Sequence, residues 1–463
     1  MRLLVRGLGL AIALSLATTT LAAEQDARPL RPAISLTLIP PSPVTNQIVF
    51  DIRGAVWNDS DAPRQFETRV YLDEETSAGL LHQETVEAKA HSPVGIQFRW
   101  ATKDWAGKHR ILLTAVSGAR TLRFERPIEI LASNVRSTRR LGGAWVDIRH
   151  FDEGEGYPFN AELAKMTEPQ WRELVRAMHD VDQNILVITM MFENFTHRGQ
   201  HKIDAEGYHG RAYYDSKLYP GRMAIATPDP LEAILSEADR HGMHVLPGVG
   251  CYAFFDFSPG SLRWSKQVAA ELWDRYGRHP SFYGFYMSHE KDGGLGADAA
   301  ERQEIVDFFR DFTPFAHRLA PDKPVMLAPN CFHVRGVEQV YRKLLPNLDI
   351  LCPFGYHRMP PKEPMTGEQT AALMQTLCDQ AGCHLWMDLE SFVFRKGKYP
   401  NELVPRPIDG LLSDFRRFPT FEKTLHYQFP GLMSSPNMSR QPGGPASVKL
   451  YLDYQKYLRQ TGK

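Results

Sequence analysis

The chain has 463 residues, 43% of them apolar, and its 54 basic residues balance 54 acidic ones for a formal net charge of zero. This composition excludes the disordered and fibrous classes and leaves room for two or three domains of roughly 100 to 200 residues. Balanced charge with no run of five like charges argues against a nucleic-acid partner or a polybasic membrane patch.

The chain opens with Arg2 and Arg6, a mostly apolar stretch from Leu8 to Ala17, and a small-residue exit through Thr18, Thr19, Thr20, Ala22 and Ala23. That order is the pattern of a secretory signal peptide, so residues 1–23 are expected to be removed and the mature protein to be periplasmic or secreted. An uncleaved anchor is the alternative reading. No later stretch reaches the ~18 apolar residues that a membrane span requires, so no transmembrane segment is expected after cleavage. Oligomeric state leaves no mark in the sequence. Export makes the five cysteines relevant, because disulfides persist outside the cytoplasm. Cys378 and Cys383 are spaced to bridge across a helix-to-strand turn, whereas Cys251, Cys331 and Cys352 lie in or beside apolar runs and read as buried thiols.

Residues 30–135 read as short alternating strands, among them Ile48 to Trp57, Thr68 to Asp73, Val94 to Trp100 and His109 to Val116, separated by Asn, Asp, Pro and Gly turns. Strands at this spacing without an amphipathic helix predict a small all-β sandwich. The module resembles the immunoglobulin-like domains that accompany secreted carbohydrate-active enzymes. It holds no cluster of His, Cys or carboxylates that would make a site.

Residues 140–463 change to apolar strands alternating with helices, which predicts an α/β architecture with a parallel sheet. The strand candidates run from Gly143 to Phe151, Asn184 to Phe192, His244 to Tyr252, Phe282 to Glu290, Pro324 to Asn330, Asp349 to His357, His384 to Glu390 and Thr424 to Met433. Helices are predicted over Glu168 to Val181, Asp229 to Gly242, Ser261 to Gly277, Ala300 to Ala320 and Gly367 to Gly382. Eight strands over roughly 320 residues fit a (β/α)8 TIM barrel. A doubly wound open sheet is the rival, but no Gly-rich dinucleotide or phosphate loop follows the first strand.

Reacting groups of such barrels lie at the carboxyl ends of the strands. The fourth candidate ends in Ser288, His289 and Glu290, and the seventh in Asp388, Leu389 and Glu390. Because side chains alternate, Tyr286, Ser288 and Glu290 share one face, as do Trp386, Asp388 and Glu390. Two carboxyl groups facing one another across a barrel mouth are what glycosidic bond cleavage requires. Here the sequence resembles the clan A glycoside hydrolases, whose acid/base and nucleophile end the fourth and seventh strands. The resemblance implies Glu290 as acid/base, Glu390 as nucleophile and no cofactor or metal. It departs where the clan places Asn before the acid/base to meet a sugar hydroxyl, since this chain has His289. Residues 140–460 are also similar to an uncharacterised bacterial family of barrel proteins, through Tyr214 to Gly221, Asp229 to Val245 and Phe282 to Glu290.

A sugar cleft combines aromatic platforms with polar groups. The strand ends offer Trp145, Asp147, Arg149, His150, Glu193, Asn194, Tyr252, Phe254, His289, Asn330, Tyr356, His357, Trp386, Asp388, Tyr427 and Gln428 as substrate-binding candidates. Asp388 is also placed to perturb Glu390, or to orient a loop. The Gly-, Tyr- and His-rich segment from Phe195 to Met223 reads as a long loop over the mouth. The expected partner is a poly- or oligosaccharide. Two rival functions stay open: a non-catalytic glycan-binding barrel, and a metal-dependent hydrolase using His197 and His201, four residues apart, or His150 with Asp152.

Overall fold

A computed structural model describes residues 32–194, 208, 210–253, 255–397 and 401–462. The expected signal peptide therefore lies outside the described residues, as do Phe254, His197 and His201. Among the described residues no helix is long and apolar enough to cross a membrane.

The first part of the chain builds two sheets. Strands Ile34–Ile39, Val49–Asn58 and Ser92–Ala101 form one antiparallel sheet, and Val44–Thr45, Arg64–Leu72, Leu80–Ala88, Gly107–Ser117 and Arg120–Leu131 form the other. Alternation turns Phe50, Ile52, Val56, Val70, Ile111 and Leu113 into a shared apolar core between them.

The remainder is a closed barrel of eight parallel strands: Leu141–Val146, Ile185–Ile188, His244–Pro247, Phe285–Met287, Val325–Leu327, Ile350–Leu351, His384–Glu390 and Lys423–Tyr427. Parallel bridges from Val245 to Phe282 and from Gly248 to Tyr286 join the third strand to the fourth and close the ring. Seven of the eight strands are shorter than the runs read from the sequence, and the first and eighth begin two residues and one residue ahead of theirs. The surplus apolar residues lie in post-strand segments that are buried as well, and burial alone cannot distinguish strand from buried loop. The five expected helices are present within two residues of their expected ends, at Glu168–His179, Pro230–His241, Pro259–Tyr276, Ala299–Leu319 and Gly367–Ala381. Their ends follow from their caps: Asp229 accepts from the Glu232 amide at 3.0 Å, and Gly242 and Gly382 take the left-handed backbone that stops a helix. Helices at Asn160–Leu163, Glu338–Leu344, Ile408–Arg417 and Gly444–Gln460 are additional to those read from the sequence. All five cysteines are free and buried. Cys378 and Cys383 are therefore not bridged, and the turn between them is held by the Cys383 amide donating to the Cys378 carbonyl at 3.1 Å.

The sandwich covers the amino-terminal end of the barrel. Ile39 is fully buried in the cluster that fills the barrel, with Trp145, Val187, Leu246, Met326 and Trp386. The Tyr283 hydroxyl donates to the Leu38 carbonyl at 2.8 Å, and Thr37 donates to Asp322 at 2.8 Å. Arg53 reaches Asp349 at 2.6 Å beneath the sixth strand while holding Asp51 at 2.7 Å.

A second charged cluster precedes the fourth strand. His279 lies 2.6 Å from Asp239 and 3.3 Å from Glu232. Burial disfavours its charge, but the hydrogen bonds and charges of those two acids prevail and raise its pKa to about 9. A histidine raised in the folded state contributes stability that is complete below its unfolded pKa, near 6.5, and is lost as pH rises through 9. Wild type is therefore expected to lose about 1–2 kcal/mol relative to His279→Gln between pH 6.5 and 9, after allowance for solvent screening. Denaturant melts of both proteins across that range check this, and parallel curves would refute it.

Candidate active site

The carboxyl ends of the strands open into one cleft of about 360 Å³. Its lining includes Trp145, Tyr286, Asp388, Glu390 and Tyr427 from the strands, and His150, Ser288, Glu290, Asn330 and Arg358 from the segments after them. Alternation places Tyr286 inward on the fourth strand and Asp388 and Glu390 inward on the seventh, and Ser288 and Glu290 continue the same spacing in the segment after the fourth strand. Trp386 lies one step deeper on the same face, in the barrel interior.

Glu390 is held by two side chains from the segment after the sixth strand. Arg358 Nε donates to its Oε1 at 2.6 Å, and His357 Nδ1 lies 2.9 Å from Oε2. Burial opposes its charge, yet the His357 hydrogen bond and the Arg358 charge outweigh burial and lower its pKa. Asp388 behaves oppositely: burial, followed by the charges of Glu390 and Glu290, holds its pKa well above the usual carboxylate range. Asp388 and Glu390 oppose one another's ionisation, and Asp388 is the one of the pair whose pKa is raised.

Behind the first strand sits a further acidic group. Asp147 accepts from the Tyr427 hydroxyl at 2.6 Å and from Thr189, and burial raises its pKa well above normal despite the Tyr427 bond. Glu193 lies 3.2 Å from Arg149, and burial pushes it up to about 7 against the pull of Tyr213 and Arg149. Arg149 also pairs with Glu153.

Several sequence candidates stand away from the cleft. His289 faces outward, as its neighbour Glu290 faces inward. Its Nε2 lies 3.4 Å from Ser261 Oγ and its ring packs on Phe257 and Phe308, so it does not occupy the position of a sugar-binding Asn. Tyr252 packs on Tyr208 and Trp264, and Tyr356 on Phe418 and Phe421, all within the layer between barrel and helices. Asn194 donates to the Tyr252 carbonyl at 3.1 Å, and Gln428 is fully buried outside the cleft lining. Asn330 does reach the cleft, but its Oδ1 accepts from the Gly293 and Phe332 amides, each at 2.9 Å, so it shapes two loops. Of the expected mouth loop, residues 195–207 and 209 lie outside the described residues, and Tyr208 is buried core.

Other lining residues were not legible as site residues. Arg358 follows His357 directly, and the signal that would have found it is the need of a buried Glu390 for a cation. The rim is aromatic, with Phe151, Phe255, Phe332, Phe354, Phe392 and Phe394. Phe392 and Phe394 flank an exposed Val393, the period-two pattern of a short strand after Glu390. Among the described residues no group of three or more His, Cys, Asp or Glu is arranged to hold a metal ion. His150 Nε2 instead lies 3.5 Å from Glu155, with Nδ1 against the Asp152 backbone.

These features define a sandwich-backed (β/α)8 barrel protein with an acid-lined cleft at the carboxyl ends of its strands. The family model for DUF4434, a domain of unknown function, matches residues 141–440, and the chain belongs to that family. No curated protein matches the sequence. Among solved structures the chain is similar to a Bacteroides thetaiotaomicron protein proposed as an alpha-L-fucosidase, at 16% identity and a TM-score of 0.49 over 69% of this chain and 93% of that one. It is similar to Bacteroides uniformis beta-glucuronidase 2 at 12% identity and a TM-score of 0.39, covering 92% of this chain and 50% of that one. Likeness to an Eisenbergiella tayi GH2 beta-galacturonidase has 9% identity and a TM-score of 0.40, over 92% and 72%. The chain thus spans about half the length of the glucuronidase.

Proposed function

We propose that this protein is an exported glycoside hydrolase acting on a poly- or oligosaccharide with retention of anomeric configuration. The observation that carries this reading is the meeting of Glu290, three residues after the fourth strand, and Glu390, at the end of the seventh, in one aromatic-rimmed cleft. In the proposed reaction Glu390 attacks the anomeric carbon while Glu290 gives a proton to the departing oxygen. Water, deprotonated by Glu290, then releases the sugar from Glu390. A nucleophile has to be ionised, and Arg358 and His357 favour that state of Glu390. The Phe rim offers apolar surface for the faces of sugar rings or for an aglycone.

The test is turnover by the full chain on panels of aryl glycosides and polysaccharides, with proton NMR of the first anomer released. Hydrolysis with retained configuration, unaffected by a chelator, is expected. Inversion would remove the nucleophilic role of Glu390, and binding without turnover on every substrate would favour a glycan-binding barrel.

A further inference from the structure

Asp388 occupies an unusual position in the cleft wall. It is 5% exposed, and among the described residues its Oδ1 has no hydrogen-bond partner. Titratable groups surround it: Asp147 just after the first strand, Tyr286 on the fourth and Glu290 after it, Cys352 and Arg358 after the sixth, Glu390 on its own strand and Tyr427 on the eighth. The one cation, Arg358, is committed to Glu390, and the Tyr427 hydroxyl is committed to Asp147. An ionised Asp388 would thus be a buried acceptor with an unmatched oxygen beside two further carboxylates. Protonation removes that charge and gives the carboxyl group an O–H donor. Burial and the charges of Glu390 and Glu290 act in the same direction.

We propose that Asp388 meets the ligand as a neutral carboxylic acid, donating a hydrogen bond from the cleft wall to a hydroxyl or ether oxygen of the bound molecule. The proposal rests on the cleft being the substrate site, and it makes Asp388 a binding residue whose role depends on its proton. The cleft then combines an ionised acid, Glu390, with a protonated one two residues earlier on the same strand.

The first test needs no substrate. An unfolded aspartate titrates near 3.9, so between about pH 4 and the higher folded pKa the folded protein retains a proton that the unfolded chain has released. Wild-type stability then declines as pH rises through that interval, and Asp388→Asn, neutral at every pH, escapes this decline. The Tm of Asp388→Asn is expected to rise relative to wild type by about 2–6 °C from pH 4 to 7. The second test uses glycerol as the hydroxyl-bearing probe, titrated by calorimetry at pH 6. Asp388→Leu is expected to weaken glycerol binding at least tenfold, and Asp388→Asn, which keeps a donor, no more than threefold. A Tm difference that is flat or falls with pH overturns the neutral acid, and equal glycerol affinity in all three proteins overturns the donated bond. Neither measurement involves hydrolysis, so failure here is distinguishable from failure of the glycosidase assignment.

Discussion

Turnover of a glycoside that wild type hydrolyses is expected to fall by a factor of about 10⁴ or more in Glu390→Gln, and by about 10² to 10⁴ in Glu290→Gln. The two losses differ in kind. An amide at 390 removes the nucleophile, so every substrate is affected whatever its leaving group. An amide at 290 removes the proton donor, so an aryl glycoside whose phenolate departs unaided loses far less in the first step than an alkyl glycoside. Deglycosylation is slowed equally for both, because water is no longer deprotonated. Comparing single-turnover rates for aryl and alkyl glycosides separates the roles. Glu390→Gln also deprives Arg358 of its ionic partner at 2.6 Å, so its Tm should drop modestly while its fold persists. Either variant retaining activity within threefold of wild type would sink the assignment of that residue.

The largest loss of stability is expected at the opposite end of the barrel. Arg53 is 4% exposed and holds Asp51 and Asp349 at 2.7 and 2.6 Å, and it lies 3.2 Å from His317. Asp349 also accepts from the Val325 amide at 2.7 Å and lies 2.9 Å from His317, and although burial opposes its charge, Arg53 and His317 hold its pKa far below normal. Arg53→Met keeps the length of the side chain and leaves two buried carboxylates short of their cation, at an expected cost of about 3–5 kcal/mol in denaturant unfolding. Arg53→Met combined with Asp349→Asn should recover part of that loss, because the unmatched charge is removed together with its partner. A single-variant loss below about 1 kcal/mol would mean that solvent or Gln97, which donates to Asp51, compensates fully. Rates per folded molecule should be unchanged, since this network lies beneath the strands and the cleft lies above them.

Much of this architecture was legible because barrel strands and capped helices leave local marks. The seventh strand, His384 to Glu390, spans the same residues in sequence and structure. The alternation that turned Glu290 inward was equally legible, and applied one residue earlier it would have sent His289 outward. The helix Gly444–Gln460 was missed because two glycines and Pro445 open it, a start that resembles a loop. Pairings across the barrel were the illegible part. Nothing near Glu390 in sequence announces Arg358, thirty-two residues earlier, and nothing in the strand that carries Arg53 names Asp349. Such contacts depend on closure of the ring and on the docking of the sandwich.

The position of Ile39 has a consequence for traffic through the molecule. With that side chain packed among Trp145, Leu246, Met326 and Trp386 and the sandwich beneath it, the barrel interior is filled below the cleft among the described residues. A fragment released in the cleft therefore has to leave past the strand ends and not through the barrel.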